Sequence, residues 1–345
     1  MSKIKKEFEL EKSDFLLVRQ MKKVVIYGLG QRYNLLIRSS YFQKKIDFDI
    51  VAVTDKKNLA KMDDIYPFVE RSELGKITFD HIIVTSKKYY KSIKEELIND
   101  FGFDESTIVL LDDILSLYYK EELKTYLFDQ KEGVEIGGPS DIFSVIYSVI
   151  KSCDGINFSN STEWWSGEEL YFHEEKQLGK VIICDATQMD KIEDGKYDFC
   201  ISSNNLEHIA NPIKALSEMK RIICNDGVLL LIVPMKSKCF DHNRNDTTFE
   251  HMLNDFIMDV KEDDITHLDE IMDKHDFDMD IGCNGKNAFL ERAKKNIENR
   301  CLHHHVFTLR TLTQMFEYLG MEVLGTGELC KDYFIIGKKA EITIM

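Results

Sequence analysis

Between Tyr197 and Val233 the sequence spells out a strand, a helix and a second strand, and no other stretch restricts the fold as tightly. Tyr197 to Ser202 is a short apolar run of the kind that forms a strand buried on both faces. Asn211-Pro212 is a helix start: an N-cap side chain, then proline in the first turn, where its missing N–H leaves no hydrogen bond unmade. Ile213, Leu216, Met219, Ile222 and Ile223 recur on one helical face. Asn225-Asp226-Gly227 ends the helix ahead of the apolar strand Val228 to Val233. A crossover helix between two buried strands makes them parallel, and a parallel pair belongs to a larger sheet covered on both faces.

The rest of that sheet is expected from further short apolar runs at Val134 to Ile136, Gly155 to Ser159, Val181 to Cys184, Met321 to Leu324 and Tyr333 to Ile336. Strands alternating with helical stretches give an α/β, doubly wound, mainly parallel sheet, with the last two strands as a terminal hairpin. A smaller α/β series precedes it. Val24 to Tyr27 reads as a buried strand, Gly28-Leu29-Gly30 as a tight turn into a helix, Phe48 to Val53 as a second strand ending near Asp55, and His81 to Thr85 as a third. At 345 residues the chain is long for a single core. The expected division is a Rossmann-like auxiliary domain over residues 1–125 and a larger domain over 126–345.

No apolar run is long enough to span a bilayer, and the N-terminus lacks the apolar core of a secretory signal, so a cytoplasmic protein is expected. The eight cysteines include no Cys-x-x-Cys pair, which argues against a thiolate zinc site or a disulfide framework. A net charge of −15 repels nucleic acid and anionic lipid and favours a small molecule or a protein as partner. An oligomer is compatible with these features.

Taken in order, Glu135-Ile136-Gly137-Gly138-Pro139-Ser140, Cys184-Asp185-Ala186-Thr187, and the unit running from Tyr197 to Pro234 resemble the class I S-adenosylmethionine (SAM) dependent methyltransferases of the methyltransferase-11-like kind. The resemblance implies SAM as cofactor and a role for each matching residue. Gly137 and Gly138 would let the backbone approach the methionine part of SAM, with Glu135 organising that loop, and Asp185 would accept from the adenine amino group with Ala186 beside the ring. Asn204 and the Leu206-Glu207-His208-Ile209 segment would line the cleft. Pro139 stands where the family usually has a further glycine, and Asn157 where it has an acidic residue for the ribose hydroxyls; Glu163 is a second candidate for that carboxylate. The stretch around Asn157 and Trp164 is similar to a bacterial subgroup that modifies surface polysaccharides and small molecules, which implies a sugar, a nucleotide-sugar or a related metabolite as acceptor.

Residues 236–305 form a polar insertion that leaves the fifth strand of the larger sheet, where ligands of this architecture bind, and it is expected to be a substrate lid. From 241 to 280 it holds fourteen Asp and Glu against three Lys and Arg, a balance unsuited to gripping a polyphosphate. Methylating a hydroxyl requires removal of its proton, which a neutral imidazole does well near neutral pH. His242 is the first candidate base, oriented by Asp241 or by a carboxylate of Glu262 to Asp264; His208 is the second, followed by His251 and His267. The clustered His, Asp and Glu also permit a divalent metal, but this is the minority reading and no metal ligand is assigned: no His-x-x-x-His or equivalent spacing appears, and the adjacent His303, His304 and His305 point in different directions. Two other readings compete. One is an NAD-dependent sugar-modifying enzyme using the front domain, disfavoured by Tyr33 at the third-glycine position. The other is a degenerate methyltransferase that only binds a partner, for which Pro139 and Asn157 are the best support.

Overall fold

The computed structural model describes residues 21–38, 48–56, 65–161, 169–280 and 282–340. Glu163 and Trp164 lie outside the described residues. The chain divides into two compact units, Met1–Glu122 and Leu123–Met345.

The first unit carries a four-stranded parallel sheet in the order β2-β1-β3-β4, formed by β1 (Lys23–Tyr27), β2 (Asp49–Thr54), β3 (His81–Val84) and β4 (Ile108–Leu110). Three of these strands coincide with the expected apolar runs. The fourth, only three residues long, is too short to stand out as a pattern. Val25, Tyr27, Ile82 and Val84 pack with Ile93 and Leu97 of the helix Tyr90–Asn99 in the unit's own core. At the end of β1, Gly28 has φ +103° and a Cβ there would meet the Thr85 hydroxyl at 2.6 Å, so only glycine fits this turn.

The second unit holds an eight-stranded sheet in the order β11-β12-β10-β9-β5-β6-β8-β7. Its strands are β5 (Glu132–Ile136), β6 (Ser152–Asn157), β7 (Leu170–His173), β8 (Lys176–Ile183), β9 (Tyr197–Ser203), β10 (Ile223–Pro234), β11 (Met321–Leu329) and β12 (Asp332–Lys339). The five central strands β8, β6, β5, β9 and β10 are parallel; β7, β11 and β12 pair antiparallel at the two edges. The chain moves outward from β5 through β6 to β8 and then returns to β9 on the other side of β5. That reversal opens a crevice at the carboxyl ends of β5 and β9, where doubly wound sheets bind ligands.

The helix Pro212–Ile222 forms as its sequence requires: the Asn211 side chain accepts from the Lys214 amide at 3.1 Å, and proline occupies the first turn. Its Ile213, Leu216, Met219 and Ile222 are fully buried against Leu229, Leu231 and Val233 of β10. Each side chain contributes about 1.5–3 kcal/mol by leaving water. The insertion after β10 builds a small core of its own from Leu268, Ile271, Cys283, Phe289, Ala293 and Leu302. Its two ends are clamped together by Arg244, which donates to the Asp241 carboxylate and to the carbonyls of His303 and His304. No helix among the described residues is long and apolar enough to cross a membrane, and all eight cysteines are free.

Candidate active site

The carboxyl ends of β5, β6, β8, β9 and β10 open into a cleft of about 690 Å³, within the range of roughly 300–1,000 Å³ common for small-molecule sites. Gly137, Gly138, Pro139, Asn157, Asp185, Ala186, Asn204 and His208 all line it. Glu135 and His242 do not.

Glu135 lies beneath the glycine turn, wholly buried. Its carboxylate accepts hydrogen bonds from the hydroxyls of Tyr147 and of Tyr171, the latter at 2.8 Å, and the Ser140 amide donates to the Tyr147 oxygen at 2.9 Å. Burial, outweighing these hydrogen bonds, pushes the carboxyl up to about 7. A Cβ on Gly138 would come within 2.1 Å of the Glu135 carboxyl and 2.2 Å of the Tyr171 hydroxyl, while one on Gly137, at φ +80°, would meet the Asn205 amide nitrogen at 2.5 Å. The glycines therefore let the turn settle onto Glu135 and Asn205 and leave its backbone facing the cleft. Glu135 thus supports the turn from below rather than forming the cleft wall, because β-strand alternation directs it into the core.

Asn157, at the end of β6, is buried, and its amide nitrogen has no hydrogen-bond partner among the described residues. A buried donor left unmatched is costly, and at this point of the cleft it suits a ligand hydroxyl oxygen. Asp185, after β8, accepts from the Thr187 amide at 2.8 Å and hydroxyl at 2.7 Å through one oxygen and from Arg300 at 2.7 Å through the other. Burial raises this carboxyl, but Thr187 and Arg300 outweigh it and hold it below its usual range. A carboxylate has about four acceptor positions, so the Arg300-facing oxygen keeps room for one more donor, such as an adenine amino group. Arg300 also pairs with Glu262 at 2.8 Å and lies over the Phe158 ring, 5.0 Å from its centroid. These features, two glycines that a side chain would block, an unmatched amide and a carboxylate with spare acceptor capacity, fit SAM.

The remaining wall is acidic and imidazole-rich. His303 lies in the cleft with Nδ1 2.6 Å from the Asp241 carboxylate, itself held by Arg244 at 3.0 Å. Burial alone would lower the His303 imidazole; Asp241 reverses that and raises it above its ordinary value. His208 stacks edge-on against His303 with ring centroids 4.6 Å apart. Burial, then the charge of His303, pushes it down to about 3, so it stays neutral at working pH. Glu207 and Asp332 also line the cleft, pushed up by burial to about 7 and about 6.

The structure places His242, the first candidate base, outside the cleft lining. Hydrogen bonds from the His242 amide to the Cys239 carbonyl and from the Arg244 amide to the Asp241 carbonyl form a tight turn. That turn buries Asp241 and Arg244 and leaves His242 on the surface. The His242 ring lies 3.6 Å from the Asp276 carboxylate. Asp241 orients an imidazole, but it is that of His303. His251 and His267 are also absent from the cleft lining. His303, Arg300 and Asp332 were not singled out for the site by sequence.

The parallel sheet, its switch point and this cleft define a class I methyltransferase architecture. Residues 151–231 match the family described as methyltransferase domain, and residues 20–109 match the family described as C2185-like, N-terminal. No curated protein matches the sequence. Similar solved structures include a SAM-dependent methyltransferase from Thermotoga maritima, 15% identical over 73% of this chain and 96% of its own, with a TM-score of 0.37. One from Methanosarcina mazei is 15% identical over 63% of this chain and 96% of its own, at 0.36. One from Aquifex aeolicus is 12% identical over 74% and 99%, at 0.36. Residues 151–231 of the second unit thus carry a methyltransferase-domain match, which supports an enzyme with SAM as the expected cofactor.

Proposed function

We propose that the protein methylates a hydroxyl of a small polar acceptor, a sugar or sugar-like metabolite, with His303 as general base. The observation that carries this reading is the pairing of His303 with Asp241 in the cleft lining, with buried Arg244 holding Asp241 from behind. A carboxylate fixed by a guanidinium orients the imidazole through Nδ1 and stabilises the imidazolium that forms when the other nitrogen takes a proton. SAM supplies an electrophilic methyl group on sulfur. When bound, SAM would pass that group to the acceptor oxygen, and His303 would take the oxygen's proton. His208, held near 3, is too weak a base to compete and serves better as a hydrogen-bonding neighbour. Asp332 Oδ1 and Glu207 Oε2 are buried without partners among the described residues and suit further hydroxyls of a polyol. The same carboxylates also suit a protonated amine, which is the second reading.

S-adenosylhomocysteine release against a panel of neutral sugars, nucleotide-sugars and amines tests the proposal. Turnover on a neutral sugar is expected, with His303→Gln lowering it about 10²- to 10⁴-fold and His242→Ala leaving it near wild type. Turnover confined to amines, or an active His303→Gln enzyme, would refute it.

For the first unit we infer an auxiliary recognition role without a dinucleotide. Asp55, where a ribose-binding acid would stand, instead accepts from the Leu29 amide at 2.9 Å, and Tyr33, in the first turn of the helix Gln31–Arg38, is buried.

A further inference from the structure

Outside the cleft, the helix Phe249–Ile257 presents His251 and Asp255, one turn apart, on the same face. Their side chains meet at 3.3 Å, His251 Nε2 to Asp255 Oδ2. His267, just before the helix Leu268–Lys274, brings its Nε2 to 3.2 Å from that of His251. His305, buried on the segment leading to the helix Leu309–Tyr318, brings its Nε2 to 3.0 Å from the same Asp255 oxygen. The three histidines each offer a ring nitrogen within 4.8 Å of the others.

We propose that His251, His267, His305 and Asp255 hold a structural zinc ion. A tetrahedral ion with ligand bonds of about 2.0–2.1 Å separates neighbouring ligand atoms by roughly 3.3–3.4 Å. The three contacts above, 3.0, 3.2 and 3.3 Å, lie within a few tenths of an ångström of that edge. The donor set, three imidazole nitrogens and one carboxylate oxygen, suits zinc; magnesium and calcium prefer oxygen alone, and copper(I) prefers sulfur. Hydrogen bonding accounts poorly for the convergence. A neutral His251 has at most one proton on Nε2, yet that atom faces both the Asp255 carboxylate and the His267 nitrogen. Four protein ligands leave no open position, so the ion would be structural rather than catalytic. It would join three separated segments of the insertion, one of which continues through His304 to the cleft residue His303. This site is independent of which acceptor is methylated.

The three adjacent histidines thus divide among different partners. His303 meets Asp241, His304 meets Asn296 at 3.0 Å, and His305 joins the proposed ion.

The test uses the full-length, tag-free protein, stripped with a chelator and titrated with Zn²⁺ and separately with Co²⁺. One equivalent of Zn²⁺ per chain is expected, with a rise in the melting midpoint and the visible bands of four-coordinate cobalt. His251→Ala and His267→Ala should each weaken Zn²⁺ binding by more than about 10²-fold, beyond the usual loss from disturbing an outer-shell group. His251 has 43% of its side chain exposed, so its replacement leaves the core intact, and His251→Gln repeats the test with a side chain of similar length. Glu207→Gln, in the other cluster of possible ligands, should leave the equivalent bound. Absence of stoichiometric Zn²⁺ in the wild type, undiminished binding in His251→Ala and His251→Gln, or loss with Glu207→Gln alone would overturn the assignment.

Discussion

Replacing Glu135 with glutamine should stabilise the protein at alkaline pH, by an amount the structure sets. The carboxyl is fully buried beneath Gly138 and titrates near 7 in the folded protein, against an ordinary 4.5. The folded state therefore binds a proton more readily than the unfolded chain, and stability falls as pH rises from about 4.5 to about 7. At about 1.4 kcal/mol per pH unit, that interval costs the wild type about 3 kcal/mol by pH 8. Glutamine carries no such penalty, and its carbonyl can still accept from Tyr147 and Tyr171. Glu207 and Glu262 are raised in the same direction; they remain in both proteins and cancel in the difference. Urea unfolding of both proteins at about pH 5 and about pH 8 measures the effect. The stability of Glu135→Gln relative to wild type should increase by about 2.5 kcal/mol between the two conditions, because part of the penalty is already present at about pH 5. A difference independent of pH, or one that moves the other way, would refute the argument that Glu135 is buried without a compensating cation.

Two further outcomes follow from the cleft and the front unit. His303 acts as a base only when deprotonated, and Asp241 raises its titration above the usual imidazole range. In wild type kcat/KM should therefore rise with pH through a midpoint above about 6.5, and Asp241→Asn should move that midpoint down while lowering turnover. An unmoved midpoint would exclude the pair. In the front unit, calorimetric titration of the full-length protein with NAD or NADP should give no heat of binding, because Asp55 is engaged by the Leu29 amide; a micromolar isotherm would contradict that.

The parts of this molecule that were legible in the sequence are those written by neighbours along the chain. The Asn211-Pro212 start, the apolar face from Ile213 to Ile222 and the buried runs of β9 and β10 each follow from local pattern. The glycine turn and Asp185 follow from short motifs at strand ends. The proposed base does not, because it depends on a contact 62 residues apart: Asp241 pairs with His303 and not with its neighbour His242. A tight turn decides that outcome, and sequence alone cannot say which side of it faces inward. Arg300 reaches Asp185 across 115 residues for the same reason. The short strands β4 and β7 were also missed, one having only three residues and the other lying at an edge. The His251 and Asp255 spacing on one helical turn was readable, but its two remaining partners come from other segments.

The measurement that bears most directly on the central claim is calorimetric titration of SAM into the wild type, Asp185→Ala, Asn157→Ala and His242→Ala. If SAM lies on the glycine turn with its ribose at Asn157 and its adenine at Asp185, the wild type and His242→Ala bind with matching affinity. Asn157→Ala should then bind about 2- to 10-fold more weakly for a neutral hydrogen bond, and Asp185→Ala about 10- to 150-fold more weakly for a charged one. Unchanged SAM affinity in both folded variants would place the cofactor elsewhere and contradict the account.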